Sequence, residues 1–144
     1  MITTNVKQAL LNHFNVANRI SPPVQMKDVD FLTPEIWLQG INNSRVKIQG
    51  AALSNDFGGQ ETLYYIRRRI EADLLDVKVP GKSTDYHRYH DVLRVLREKL
   101  GLPLYESEYL DKAFSASVFK IDVTTVSMAY MPGGSITLQF EESV

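Results

Sequence analysis

RVKIQGAALSNDFGGQETLYYIRRR, running from Arg45 to Arg69, is the stretch on which the fold turns. Its first nine letters set Val46, Ile48, Gly50 and Ala52 on one face of an extended chain, and ETLYYIRRR resumes that extended character after the SNDFGGQ loop. Two such runs joined by a glycine-containing loop predict an antiparallel hairpin. Within the loop, Asp56-Phe57-Gly58 spells the triplet with which a kinase holds magnesium. A kinase also needs a glycine-rich loop, a strand lysine and a catalytic loop in order, and this chain has none of them. A turn accounts for the same letters: the glycines take positive backbone angles where the hairpin reverses, Asp56 bonds to turn amides, and Phe57 folds over the hairpin or reaches a neighbour. Side chains alternate across a strand, so at most two of Arg67, Arg68 and Arg69 share a face.

Upstream, Thr4 is placed to cap a helix ending near Asn18, with Val6, Ala9, Leu10, Phe14 and Ala17 at the spacing of one buried face. SPPVQMKDVDFLTPEIWLQGINNS follows, rich in proline and turn residues, and predicts an extended connection that covers the core with Phe31, Ile36 and Trp37. Downstream, Ser83, Thr84 or Asp85 starts the strongest helix, with Tyr86, Tyr89, Leu93, Leu96 and Leu100 as its apolar stripe and Gly101 and Pro103 as its stop. DVTTVSMAY and SITLQFE, separated by MPGG, predict a second hairpin in which Ile136, Leu138 and Phe140 alternate with Ser135, Thr137 and Gln139.

The halves therefore repeat an order of helix, irregular connection, strand, glycine pair, strand. Gly58-Gly59 and Thr62-Leu63 recur as Gly133-Gly134 and Thr137-Leu138, both at a separation of 75 positions. A constant offset favours internal duplication over chance likeness between two hairpins. The expected fold is α+β: two helices packed on antiparallel hairpins, a single compact domain over residues 1–144, with pseudo-symmetric half-repeats at 3–70 and 83–142.

Composition narrows function. A chain of 144 residues, 44% hydrophobic, with 16 basic against 17 acidic residues, is neither a disordered tail nor a polybasic nucleic-acid binder. It lacks cysteine, which excludes a disulfide scaffold and a thiolate zinc site. No long apolar run predicts a spanning helix, and the N-terminus does not read as a signal peptide. His87 and His90 in DYHRYHD, three apart on the expected helix, are the best metal candidates, with Asp91 or a distant carboxylate to complete a site. HxxH lacks the spacing and glutamate base of the zinc protease helix, and a packed or surface pair is the reading adopted. Glu106, Glu108 and Asp111 could pair as acid and base, but no nucleophile accompanies them and a solvated acidic loop explains them better. Ser54, Ser127 and Ser135 lack a hydrolase context. The expectation is no cofactor, no metal and no catalytic residue. Trp37 with the tyrosines would suit a carbohydrate or host-surface platform if exposed, and this is kept as the alternative.

DVDFLTP at Asp28 to Pro34, VKIQGAALSNDFGGQETLYYIRRRI, LLDVKVP, HDVLRVLREKLGLPL and VTTVSMAYMPGGSITLQF follow one another in an order and spacing that carry a resemblance. Over roughly Thr3 to Phe140 the chain resembles an uncharacterised, often repeated domain of virion structural proteins of large tailed bacteriophages. It departs from that pattern at the basic Arg68-Arg69 pair and at Pro132. The resemblance implies a structural component of a tail, baseplate or head-to-tail junction, assembled in the host cytoplasm into the virion. Its partners would be other virion proteins and further copies of itself in a symmetric ring, with no membrane and no direct nucleic-acid contact. Phe57, Tyr64 and Tyr130 are then the expected contact or support residues, and Arg67, Arg68 and Arg69 the polar interface anchors.

Overall fold

The computed structural model describes residues 5–50 and 59–144, so Thr4, Ala52, Ser54 and the Asp56-Phe57-Gly58 triplet lie outside the described residues. The fold mixes helices with two antiparallel sheets, an α+β arrangement. The chain divides into two compact units, Thr4–Arg67 and Arg68–Val144, and the boundary falls inside the arginine run.

In the first unit, α1 spans Val6–Ala17. Among the described residues its cap is Asn5, whose side-chain oxygen accepts from the Lys7 N–H at 2.8 Å. The buried stripe of α1 is Leu11, Phe14 and Asn15, rotated from the expected one. Asn15 can afford burial because its carboxamide bonds both the N–H and the carbonyl of Val24, at 3.0 and 2.8 Å. The proline-rich segment yields more regular structure than its composition suggests: a single 3-10 turn at Met26–Asp28, then β1 (Val29–Phe31) and β2 (Glu35–Gln39). Both pair antiparallel with β3 (Asn42–Gly50), β1 against its C-terminal half and β2 against its N-terminal half. β4 (Gln60–Tyr65) pairs with β3 from Ser44 to Gln49 and so takes the other edge. Pro34, which has no N–H to donate, falls where β1 gives way to β2 along one broken edge strand. Period-two alternation drives Val46 and Ile48 inward to full burial, and Ile48 joins Leu11, Phe14, Val24 and Val29 in the core. Each such side chain contributes about 1.5–3 kcal/mol on burial. Ile36 does not cover the core as expected; it is 52% exposed.

The second unit opens with a one-turn α2 (Ile70–Asp73) and a 3-10 turn at Ser83–Asp85. The long helix α3 (Tyr89–Leu100) begins later than the serine-threonine signal indicated. Asp91 turns back to accept from the Arg88 N–H at 3.2 Å and so fixes the start, and Gly101 ends the helix in the left-handed region. Tyr89, Val92, Leu93 and Leu96 are its buried face. The hairpin strands are β5 (Phe119–Asp122) and β6 (Ser135–Leu138). The Tyr89 ring lies 4.6 Å from that of Phe119, and its hydroxyl donates to the Lys120 carbonyl at 2.8 Å.

The expected strand DVTTVSMAY is corrected: most of it belongs to the connection between β5 and β6. Glu108 organises that connection, accepting from the Ser127 hydroxyl and the Met128 N–H, each at 2.8 Å, while Ser127 Oγ accepts from the Tyr130 N–H at 3.1 Å. At its end, Gly133 has φ +82 with open space where a Cβ would stand. Gly134 has no such angle, but a Cβ there would meet Glu71 Oε1 at 2.9 Å and Ile70 Cγ2 at 3.0 Å.

Candidate functional site

The expected anchors separate once placed. Tyr64 is 50% exposed on the outer face of the first unit's sheet, opposite Arg45 in the β3–β4 register. Arg67 is not a surface anchor: it is 1% exposed. The burial alternation of Tyr65, Ile66 and Arg67 continues the period of β4 past its last residue, which turns Arg67 inward. There its Nε donates to Ser44 Oγ at 2.6 Å, and its backbone N–H and carbonyl are clamped by the Asn43 carboxamide at 2.7 and 2.9 Å.

Arg68 begins the second unit. Its N–H donates to the Ala129 carbonyl and its own carbonyl accepts from Met131, both at 2.8 Å, and its guanidinium pairs with Asp73. Tyr130 is fully buried, with its hydroxyl donating to the same Asp73 at 2.9 Å. Tyr130 is therefore a support residue inside the second unit and not a contact. Burial, then the Asp73 charge and hydrogen bond, push its phenol far above the ordinary value, and the Asp73 bond raises Arg68. Arg69 is exposed at the head of α2. Phe57 lies outside the described residues.

The chemical candidates are tied into the fold. His87 precedes α3, so it does not share a helical face with His90. His90 Nε2 lies 2.7 Å from the Tyr109 carbonyl and donates to it, and the His90 backbone N–H donates to Asp111 at 3.1 Å. That backbone bond, with Arg88, holds Asp111 below the usual carboxylate range. Burial would raise Glu106, but bonds from Arg94 at 3.3 Å and Arg97 at 3.0 Å outweigh it and hold the carboxyl low. Glu108 is spent on the Ser127 turn. No group of three His, Cys, Asp or Glu residues that could hold a metal occurs among the described residues. Among them, too, no helix is long and apolar enough to cross a membrane.

What the first unit does display is an apolar surface around β2. Leu38 is 77% exposed and Ile41, at the β2–β3 turn, 86%, while Ile66, which follows β4 on the other side of β3, is 57% exposed. The Arg45 guanidinium lies 4.0 Å from the centroid of the Trp37 ring and pairs with Glu35 at 3.2 Å. The Trp37 and Tyr64 rings are 6.5 Å apart and tilted by 47°. Arg45 covers one face of Trp37, and the tilt keeps Trp37 and Tyr64 from forming one flat shelf. Large apolar side chains left exposed along one strand and its turn mark an interaction surface more often than a catalytic one. The sequence reading missed Leu38, Ile41, Arg45 and Ile66 as surface residues. For Leu38 and Ile41, EIWLQGI is a run too apolar for a plain connection, but it suits a core cover as well as an exposed edge.

A family model described as "Family of unknown function (DUF7941)" matches residues 1–144. No curated protein and no solved structure matches the chain.

Proposed function

We propose, from the premise that the chain belongs to this family of unknown function, that it is a structural component of a tailed-bacteriophage virion that works by assembly and not by turnover. It acts at the tail, baseplate or head-to-tail junction through contacts with other virion proteins and with further copies of itself in a symmetric ring. The observation that carries the assembly reading is the exposure of three large apolar side chains, Ile36, Leu38 and Ile41, on and beside β2. Leaving such side chains in water costs the burial free energy they would otherwise contribute, about 1.5–3 kcal/mol each, which a neighbouring subunit restores. Repetition around an axis multiplies contacts that are individually weak. The phage assignment rests on the resemblance of the sequence pattern.

The two units are, in this reading, divergent copies of one ancestral piece. Each has a twelve-residue helix, a later 3-10 turn of three residues and an antiparallel hairpin. The offset of 75 carries Ser44 to Phe119 and Leu63 to Leu138, yet Ser44 pairs with Tyr65 whereas Phe119 pairs with Leu138. The slide is two residues, which keeps every side chain on its original face.

The test is to purify intact particles from infected cells and count the chain by quantitative mass spectrometry, with its position found by cryo-electron microscopy. The expected result is multiple copies per particle at a symmetric location. Its absence from intact particles overturns the assignment.

A further inference from the structure

We propose that β2 pairs with β2 of a second copy of this chain, antiparallel and centred on Trp37, so that the smallest assembled unit is a two-fold dimer. This inference rests on the assembly reading above and names the partner of the same surface. β3 occupies one edge of β2, and among the described residues no strand occupies the other. An open edge presents a row of backbone donors and acceptors that another strand can use. Natural edges are commonly protected by lysines, and β2 carries none. Its one charge, Glu35, is already balanced by Arg45.

The choice of a second copy follows from the order of side chains. Glu35-Ile36-Trp37-Leu38-Gln39 reads polar, apolar, aromatic, apolar, polar in both directions. An antiparallel strand meeting itself about Trp37 therefore sets Ile36 against Leu38 of the second copy, and Leu38 against Ile36 of the second copy. Glu35 faces Gln39 of the second copy, whose amide can donate to the carboxylate, so no like charges confront each other. The strand also bends, because its register against β3 is irregular between Ile36 and Gln39. A bulge of this kind turns away a flat, indiscriminate mate, and a second copy brings the same bend. Two-fold contacts are the commonest way identical chains associate. A ring built from this chain would then be a ring of dimers.

The chain has no cysteine, which permits a direct test on the whole protein. Facing residues of antiparallel strands have Cβ atoms about 4.5–5.5 Å apart, near the about 3.5–4.5 Å of a disulfide. Under mild oxidation Trp37→Cys should cross-link to its own equivalent much faster than Val16→Cys, an exposed control on α1. Sedimentation velocity on the unmodified chain should show a concentration-dependent dimer, and Leu38→Lys should weaken it by roughly tenfold or more. If Trp37→Cys fails to fold by circular dichroism, Ile36→Cys combined with Leu38→Cys provides the same reading through two bridges. A chain that stays monomeric, equal cross-linking rates at positions 37 and 16, or a larger oligomer indifferent to Leu38→Lys overturns the pairing; the last result would point to β4 as the mating edge. None of these outcomes touches the presence of the chain in purified particles, and a dimer that is absent from particles overturns the virion assignment alone.

Discussion

Three adjacent arginines meet three different fates, and they separate residue type from residue role. Arg67 is enclosed and bonded to Ser44, so Arg67→Ala removes a large buried side chain and leaves the Ser44 hydroxyl without that donor. The expected loss is about 2–4 kcal/mol in urea denaturation. Arg69→Ala, at an exposed site, should stay within about 0.5 kcal/mol. Nothing in the letters RRR distinguishes these cases, because burial depends on which phase of β4 the chain carries forward. That phase could be read from Leu63, Tyr65 and Arg67 at period two, but a surface role for arginine is the stronger prior. Tyrosines provide a second check. Burial raises Tyr89, Tyr109 and Tyr130 when folded, so the stability tied to their neutral form is present below the ordinary value of 10.0 and lost as pH rises beyond it. In an ultraviolet pH titration these three should ionise together with unfolding.

Among the elements, α3 and β3 were legible and the second hairpin only partly so. Val46 with Ile48, and Leu93 with Leu96, follow periods that one core face imposes, and propensity agrees with packing. VTTVSMAY has the β-branched content of a strand, yet it is largely turn because Glu108, distant in sequence, supplies the bonds that a ladder would have supplied. Local propensity gives way to such a tertiary contact. Glu108→Gln can keep one of those acceptors but not the charge, and should cost about 1–3 kcal/mol in chemical denaturation. The acid limb of stability belongs to this unit as well. Bonds from Lys99 lower Glu141, the His90 N–H lowers Asp111, and the two arginines overcome burial at Glu106. Stability from these groups is complete above their ordinary values of 4.5, 3.8 and 4.5, and falls as pH drops through the lower folded values. Glu106→Gln should therefore lower the urea midpoint at neutral pH and flatten its decline below about pH 4.5.

At the scale of the whole molecule, the alternation of helix and hairpin was readable because each long element carries its own hydrophobic period. The exposed β2 surface was not, since a segment with prolines and apolar residues suits a core cover as well as an open edge, and only the registers of β1 and β2 on β3 decide. If folding and pairing are linked, the thermal midpoint should rise with protein concentration, and Leu38→Lys should abolish that dependence.

The two glycines near the end of the chain make a different kind of statement, about inheritance. Gly133 is held by a backbone angle and Gly134 by the crowding of Glu71 and Ile70. Asparagine, which tolerates the left-handed region, is a permissible descendant of the first, whereas even alanine is a poor one at the second. Gly59, with φ +84 and open space around it, matches Gly133 in its reason for being glycine, although the constant offset aligns it with Gly134. The same pair of letters thus answers to two different constraints, and a saturation screen at positions 133 and 134 would reveal two different lists of survivors.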